Sequence, residues 1–333
     1  MFSARCLKSF NPLFLRSFSS LPKSMRAVEI TKVGGPEVLK LAERPVPTPK
    51  PHEVLIKVAA AGINRPDVMQ RIGMYPPPQG ASDIPGLEVA GEVVACGDQV
   101  SMYKIGDKVC GILNGGGYAE YATNPERQTL PVPKGMDMIH AAGICESFFT
   151  VYSNICTTGH LKKGESFLVH GGTSAHAMGC KVYTTVSGED QIEFVKTIGA
   201  DVAIDYMKED FYDVIRIDVI LDYIGGDYAN KNIKLLRLDG RMIVIGFLKG
   251  PKVNISLNPI LLKRLVITGS TLRSRTPENK AQISQDMLKD VWPLIENGQI
   301  KPIIYKTLPL EQACEAHKIM ESNKHIGKLI LTL

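Results

Sequence analysis

The chain has 333 residues, 44% of them hydrophobic and 22% charged, so it is long enough for two domains and has the composition of an ordinary globular enzyme. No apolar run reaches the roughly 18–20 residues that a membrane span requires, and we expect none. Of the formal charge of +5, residues 1–24 carry +4, so the nearly neutral remainder gives no indication of a nucleic-acid-binding surface.

Residues 1–24 are rich in Arg and Ser and contain no acidic residue, and the first carboxylate of the chain is Glu29. A secretory signal would need an apolar run of about 7–15 residues, whereas the longest run here is the LFL of residues 13–15. The composition is typical of a mitochondrial transit peptide and predicts localisation in the mitochondrial matrix. A disordered tail is the alternative interpretation.

From residue 25 the pattern indicates short β-strands separated by Gly- and Pro-rich turns. The strand-like segments up to about residue 125 are MRAVEI, VLKLAE, EVLIKVAAAGI, EVAGEVVACG, GDKVCGIL and GGGYAEYA. Repeated short strands of this kind predict a compact, barrel-like β domain. The last segments of the chain, a helical LEQACEAHKIMESN and a strand-like KLILTL, are expected to fold back onto it.

The character of the sequence changes near Met136, where MDMIHAAGICESFFTVYSNICTTG has helical spacing up to Gly159. Strand-like and helical segments then alternate, which predicts an α/β, doubly wound parallel sheet with helices on both faces. The segments are FLVHGG, KVYTTV, a helix in EDQIEFVKTIGA, VAIDY, DVILDYIGG, a helix in DYANKNIKLLRLDG, RMIVIGF and RLVITGS. A long helix, PENKAQISQDMLKDVWPLIENG, follows.

Several segments of the sequence also resemble those of a known family. The matching segments are INRPDVMQRIGMYPPPQGASDIPGLEVAGEVV, GGGYAEYA, ESFFTVY, LVHGGTS, DVILDYIGGDY and TGSTLRSR. They are similar to the medium-chain dehydrogenase/reductase superfamily, and within it to the zinc-free, zeta-crystallin-like NADPH:quinone oxidoreductases. The resemblance implies a GroES-like catalytic domain at residues 25–146, completed by 303–333, and a Rossmann domain at 147–302. It also implies a homodimer or homotetramer.

The resemblance bears on zinc and on catalysis. The seven cysteines lie far apart with no C-x-x-C pair, so no structural zinc site is predicted. Where zinc-dependent relatives carry two zinc ligands, this sequence has Asn64 and Leu87, which predicts a zinc-free enzyme. Hydrogen-bond donors must then stabilise charge on the oxygen that is reduced. The family places an Asn and a Tyr there, which match Asn64 and Tyr75 as catalytic residues.

Cofactor contacts follow from the resemblance in the same way. The family holds the 2′-phosphate of NADPH with a Lys and a Tyr, and here these positions carry Gln191 and Tyr206. The lost cation and the acidic Glu189–Asp190 pair weaken the discrimination against NADH, so NADPH is expected and NADH remains possible. The other matched positions are Gly171, Gly172, Thr173 and Ser174 in the phosphate loop, and Thr150, Gly246, Phe247, Leu248, Thr271, Leu272 and Arg273 around the nicotinamide.

The phosphate loop LVHGGTSAHAMGCKV is shortened. About nine residues of the family pattern, including most of a helix, are absent between Ser174 and Ala175. Residues 173–180 would rise only about 12 Å as a helix, against a strand of about 20 Å. About eight further residues are absent after Arg216, which predicts a clipped helix there. The pyrophosphate would lose its helix N-terminus, so we expect weakened NAD(P)H binding. Alternative splicing or a mis-assembled gene reading is the competing explanation.

Three functions remain open from the sequence. The first is NADPH-dependent, zinc-independent reduction of quinones by hydride transfer, favoured by the Asn64 and Tyr75 pair. The second is reduction of an enoyl thioester or an alkenal on the same scaffold. The third is a non-catalytic structural homologue, which the shortened loop after Ser174 favours. The physiological acceptor is a small quinone or enone in the first two cases.

Overall fold

The computed structural model of the protein describes residues 21–170, 179–214 and 216–333. The transit-peptide prediction and the predicted phosphate-loop contacts Gly171, Gly172, Thr173 and Ser174 therefore lie wholly or largely outside the described residues. Within the described ranges, no helix has both the length and the apolar character to cross a membrane.

The first part of the chain is rich in short strands, as the sequence predicts. Its elements are β1 (Ser24–Ile30), β2 (Leu39–Pro45), β3 (Glu53–Ile63), α1 (Arg65–Arg71), β4 (Glu88–Cys96), β5 (Lys108–Ile112), β6 (Tyr121–Pro125) and β7 (Thr129–Pro131).

The second part alternates strands and helices. Its elements are α2 (Met138–Ala141), α3 (Cys145–Tyr152), β8 (Ser166–His170), β9 (Lys181–Val186), α4 (Glu189–Thr197), β10 (Val202–Asp205), α5 (Phe211–Val214), β11 (Ile217–Asp222), α6 (Tyr228–Leu235), β12 (Leu236–Val244), α7 (Asn258–Lys263), β13 (Val266–Gly269), α8 (Pro277–Asp290), α9 (Trp292–Glu296), β14 (Ile304–Pro309), α10 (Ala313–Ser322) and β15 (Lys328–Thr332).

One sheet joins the two ends of the chain. Its strands lie in the order β14-β15-β3-β4-β5-β7, and β6 also pairs with β3. The C-terminal β15 is antiparallel to β3, with Leu329 opposite Ile63. The C-terminal segment thus lies in the sheet built by the N-terminal strands. Its core includes apolar side chains from both, such as Val54, Ile56 and Leu331, none of which is measurably exposed.

The other sheet is parallel and six-stranded, in the order β10-β9-β8-β11-β12-β13. This is the strand order of a doubly wound dinucleotide-binding fold, and it confirms the predicted α/β class. The order reverses between β8 and β11, whose carboxyl ends lie side by side. In such sheets ligands bind at the point of reversal.

The two shortened connections are visible in the strand positions. β8 and β9 are adjacent and parallel, with Ser166 opposite Lys181, and only residues 171–180 join them. A parallel connection usually takes a dozen or more residues and a full helix. Between β10 and β11 the structure has the four-residue α5, which agrees with the clipped helix predicted there.

Two boundaries differ from those predicted. The helix predicted within DYANKNIKLLRLDG is α6, but the strand predicted as RMIVIGF begins earlier, at Leu236. Leu236 pairs with Ile217 of β11, so sheet pairing extends the strand beyond its predicted start. The long helix predicted from residue 277 is divided into α8 and α9, because Pro293 cannot continue an α-helix and stands instead near the start of a new one.

Candidate active site

Asn64 lies at the end of β3 and precedes α1. It is 5% exposed, and both ends of its amide are hydrogen-bonded. Its Nδ2 donates to Glu88 Oε1 at 2.9 Å, and Lys328 Nζ donates to its Oδ1 at 2.5 Å. Lys328 Nζ also lies 2.6 Å from Glu88 Oε1, which is fully buried. The three side chains thus form a closed triangle of charge-assisted bonds.

Strand pairing explains why these side chains meet. Glu88 is the first residue of β4 and Lys328 the first residue of β15, and both strands are antiparallel to β3. Their first residues therefore lie beside the last residue of β3, next to Asn64. Three positions that are distant in the sequence share one end of the sheet.

Asp67 holds the backbone of Asn64 in place. The carboxylate is fully buried and accepts hydrogen bonds from the backbone N–H groups of Asn64 at 2.8 Å and Gly86 at 3.1 Å. It also accepts from the Tyr118 hydroxyl at 3.1 Å. Burial raises the pKa of Asp67 to about 6, and the three hydrogen bonds oppose that rise. The bond to Asn64 N–H fixes the backbone where α1 begins.

Glu146, near the start of α3, completes the group. Its backbone N–H donates to Glu88 Oε2 at 2.8 Å, and the side chain of Thr150, one helical turn later, is near enough to its carboxyl to lower the pKa of that group. Burial raises the pKa of Glu146 to about 7, the cation of Lys328 opposes the rise, and the negative charges of Glu88 and Asp67 add to it. We call Asn64, Asp67, Glu88, Glu146 and Lys328 the polar cluster.

Tyr75 lies in the loop after α1 and is partly buried. Burial raises its pKa, so the phenol stays protonated at neutral pH. The guanidinium of Arg273 lies 5.5 Å from the ring centroid and donates to the Tyr75 carbonyl at 3.3 Å. Arg273 also donates to the carbonyl of Asn114 at 2.7 and 2.9 Å. Arg273 therefore ties the Tyr75 loop to the segment that follows β13.

The carboxyl ends of β11 and β12 form a glycine-lined edge. Gly225 has φ +64°, and a Cβ there would lie 2.9 Å from the carbonyl oxygen of Gly250. Asp222, which ends β11, uses Oδ1 to accept from Ile224 and Gly225, while its buried Oδ2 has no hydrogen-bond partner among the described residues. The glycines let a ligand approach the backbone closely, and Asp222 Oδ2 can accept a hydrogen bond from it. Both features fit a ligand with N–H or O–H groups, such as a nicotinamide ribose.

Of the other predicted cofactor contacts, some lie at the glycine-lined edge and others are packed in the core. Phe247 is 54% and Leu248 is 47% exposed beside Gly246, so ordinary core packing does not explain them. Leu272 is 9% exposed and belongs to a hydrophobic core cluster, which favours packing. Thr271 forms a hydrogen bond with Ser274 at 2.5 Å.

At the opposite end of the site, Gln191 and Tyr206 lie on neighbouring connections. Gln191 Oε1 accepts from Ser187 N–H at 3.1 Å and so supports the start of α4. Tyr206 is 44% exposed. Glu189, which weakens the case for a 2′-phosphate, is paired with the exposed Lys208 at 3.0 Å. The family has a Lys at the position of Gln191. Lys208, which is paired with Glu189, supplies a cation close to that position.

The polar cluster does not fit a zinc ion. The ammonium of Lys328 already holds Glu88 and Asn64, and Leu87 offers no donor atom. In the described part of the chain, no three His, Cys, Asp or Glu side chains stand close enough together to hold a metal. The described residues at the glycine-lined edge and near Lys208 do fit the two ends of a dinucleotide.

Sequence reasoning missed Asp67, Glu88, Glu146, Lys328 and Lys208. A signal for two of them was present. Glu88 and Lys328 are charged residues that stand at the start of largely apolar strands. Glu146 stands in the mostly apolar stretch predicted to be helical up to Gly159, where an ionisable side chain often marks a site. Nothing in the sequence pattern indicates which of them meet.

Two family models match the chain. Residues 50–134 match the alcohol dehydrogenase GroES-like domain, and residues 198–331 match the zinc-binding dehydrogenase model. A quinone oxidoreductase of Rattus norvegicus is 34% identical and aligns over 93% of this chain and 98% of its own length. The quinone oxidoreductase of Homo sapiens is 35% identical with the same coverage.

Solved structures agree with these matches. A quinone oxidoreductase of Escherichia coli complexed with NADPH has a TM-score of 0.83 at 27% identity, and the match covers 92% of this chain and all of that one. A quinone oxidoreductase of Pseudomonas syringae has a TM-score of 0.82 at 28% identity and covers 93% and 100%. The GroES-like domain and the Rossmann sheet expected from the sequence are thereby confirmed.

Proposed function

Because the chain belongs to the quinone oxidoreductase family of the medium-chain dehydrogenases/reductases, we propose that it catalyses the NADPH-dependent, zinc-independent reduction of a quinone. The observation that carries the proposal is the triangle of Asn64, Glu88 and Lys328, in which an ammonium takes the place that a metal would need. NADPH, when bound, supplies a hydride. The residues of the chain must then bind the acceptor and stabilise the charge on its oxygen.

Asn64 and Tyr75 are suited to that second task. Asn64 has two amide N–H groups and gives one to Glu88, so the other is available to a substrate oxygen. The raised pKa of Tyr75 keeps its O–H as a donor. Lys328 adds positive potential from behind Asn64. These are preorganised donors, which is the arrangement that stabilises a developing oxyanion.

Residues for NADPH itself can be named at three places. Thr150, Gly246, Phe247 and Leu248 would contact the nicotinamide half, and Tyr206 with Lys208 would hold the 2′-phosphate. The Lys208 cation favours NADPH over NADH, although its pairing with Glu189 reduces the preference. The pyrophosphate would rest on Gly171 and Gly172 without a full helix behind them, and we propose that this weakens cofactor binding.

The first prediction is that the protein oxidises NADPH with 1,4-naphthoquinone and that Tyr75→Phe lowers kcat about 100-fold, because one donor to the oxyanion is lost. Initial rates at millimolar NADPH, and in parallel at millimolar NADH, measure this. Tyr305→Phe, at an exposed position, is the matched control and should be unchanged.

The same assay separates the alternatives. Turnover of crotonyl thioester without turnover of the quinone would contradict the proposal and favour an enoyl-thioester reductase. No turnover of either, with a thermal stability that millimolar NADPH does not change, would favour a non-catalytic homologue.

We propose that the enzyme is a homodimer formed through the edge of its parallel sheet. β13 is the last strand in the order, with an open edge in the described part of the chain. Beside it, α7 has no buried residue, and Leu257, Leu261, Leu262 and Val266 are between 53% and 76% exposed. A strand with one open edge, flanked by exposed apolar side chains, fits a second copy of itself.

The second prediction is that replacing both Leu261 and Leu262 by Glu converts the dimer to a monomer. Four carboxylates buried at a two-fold interface would lose their hydration without gaining partners, which strongly disfavours the dimer. Sedimentation velocity measures the mass. Met102→Glu, an exposed apolar position in the connection between β4 and β5, is the control and should stay dimeric. A wild-type monomer would contradict the proposal.

We propose that residues 1–24 direct the protein to the mitochondrial matrix. The support is the composition of the segment, with four basic residues, six serines and no acid.

A further inference from the structure

Quinone reduction needs a proton as well as a hydride. A hydride brings two electrons and one hydrogen nucleus, so a neutral quinone becomes a neutral hydroquinone only when one further proton reaches an oxygen. The site must hold that proton close to the acceptor. If the chain reduces quinones as proposed above, the source of that proton lies in the polar cluster.

Glu146 is the carboxyl of the polar cluster that is not held by a cation. Lys328 Nζ is committed to Glu88 at 2.6 Å and to Asn64 at 2.5 Å. Asp67 is held by Asn64 N–H and two further donors. No ion pair within the described ranges involves Glu146, and its side chain is partly rather than fully buried. We take this partial exposure of the residue as the route by which its largely buried carboxyl exchanges a proton with solvent.

The groups that face Glu146 come from every element around it. Glu88 approaches from β4, Asp67 from α1 and Lys328 from β15, and Tyr75 lies near enough for the charge of Glu146 to act on it. On its own helix, Thr150 lies four residues later on the same face, and its side chain is near enough to the carboxyl to lower the pKa of Glu146. Thr150 is also the position that the sequence places beside the nicotinamide. The hydroxyl of Thr150 would thus lie between Glu146 and the expected reaction centre.

We propose that Glu146 stores the proton that completes quinone reduction and delivers it through the hydroxyl of Thr150. In this step the Glu146 carboxylic acid gives its proton to Thr150 Oγ1, and Thr150 gives its own hydroxyl proton to the oxygen of the reduced quinone. One O–H bond breaks and one forms at each transfer, and both electrons come from the hydride. The carboxylate of Glu146 then takes a proton from solvent. Glu146 acts through Thr150 and is a positioning residue rather than a group in contact with substrate.

The charges of the cluster suit this task. Burial and the neighbouring carboxylates raise the pKa of Glu146 to about 7, so that near neutral pH the group both holds and releases a proton. The protonated acid is the active form, and it predominates below pH 7. Its fraction falls about tenfold per pH unit above that, so kcat should fall with it.

The third prediction tests this step through the pH dependence of kcat for 1,4-naphthoquinone between pH 5.5 and 9. Wild type should lose activity above about pH 7, whereas Glu146→Gln should lower kcat about 100-fold at pH 6 and abolish the dependence. Thr150→Val, which keeps the shape and removes the hydroxyl, should also lower kcat. Glu315→Gln, at an exposed position of α10, should retain the wild-type profile.

The outcomes are separable. If wild type reduces no quinone, the proposed function fails. If it does and Glu146→Gln keeps the fall above pH 7, the proton inference is wrong, and so it is if Thr150→Val has wild-type kcat. Fluorescence titration of NADPH is measured on every variant, since a purely structural role would change the Kd or the melting temperature and leave the shape of the pH profile intact.

Discussion

A variant with about nine residues inserted between Ser174 and Ala175, designed as Gly-Ile-Gly followed by a helix, should bind NADPH about 100-fold more tightly than the natural chain. The gain corresponds to about 2.7 kcal/mol. It comes from backbone N–H groups at the N-terminus of a helix and from the dipole behind them, both directed at a pyrophosphate. Fluorescence titration of NADPH measures the Kd of both proteins.

The structural basis is the pairing of β8 with β9. The two strands lie side by side and parallel, joined by residues 171–180, which is fewer than a parallel crossover with a full helix uses. An insertion of the same length made of Gly and Ser is the matched control. It relieves the short connection without adding a helix, and it should give little of the gain. Low-micromolar NADPH binding by the natural chain would contradict the prediction.

The two shortened connections also have a competing explanation that the same variant addresses. An alternatively spliced or mis-assembled reading would remove segments from an otherwise complete enzyme, and restoring one of them should then recover much of the binding. Sequencing the transcript across Ser174 decides between this explanation and evolved loss.

The fold was largely predictable because its signals are local and repeated. Apolar alternation and the position of turns indicated the strands of both sheets, and the resemblance supplied their arrangement. The start of β12 was placed five residues too late, at Arg241, because the pairing of Leu236 with Ile217 of β11 extends the strand. Local periodicity cannot report a partner that lies elsewhere in the chain.

The candidate site was predictable only in part, for the same reason. Asn64 and Tyr75 could be named from the family pattern. The partners of Asn64 could not, because Glu88 lies 24 and Lys328 264 residues away, and they meet only through the registers of β4 and β15 against β3. A charged residue at the start of an apolar strand indicates a buried partner without identifying it.

Lys328→Met should therefore destabilise the protein by about 3–5 kcal/mol, because it leaves the fully buried carboxylate of Glu88 without its cation. Urea unfolding followed by circular dichroism measures the change. Lys57→Met, at an exposed position of β3, removes the same charge and should cost less than about 0.5 kcal/mol.

The double variant Glu88→Gln with Lys328→Met distinguishes loss of a cation from loss of packing. If the cost comes from an unpaired buried charge, the neutral amide that replaces the carboxylate should recover at least half of it, since no charge is left to compensate. Recovery should be incomplete because Glu88 accepts from both Asn64 Nδ2 and Glu146 N–H, and the amide offers one acceptor in place of two. A double variant as unstable as Lys328→Met alone would show that the lysine acts through its aliphatic stem. The polar cluster would then owe little of its stability to the ion pair.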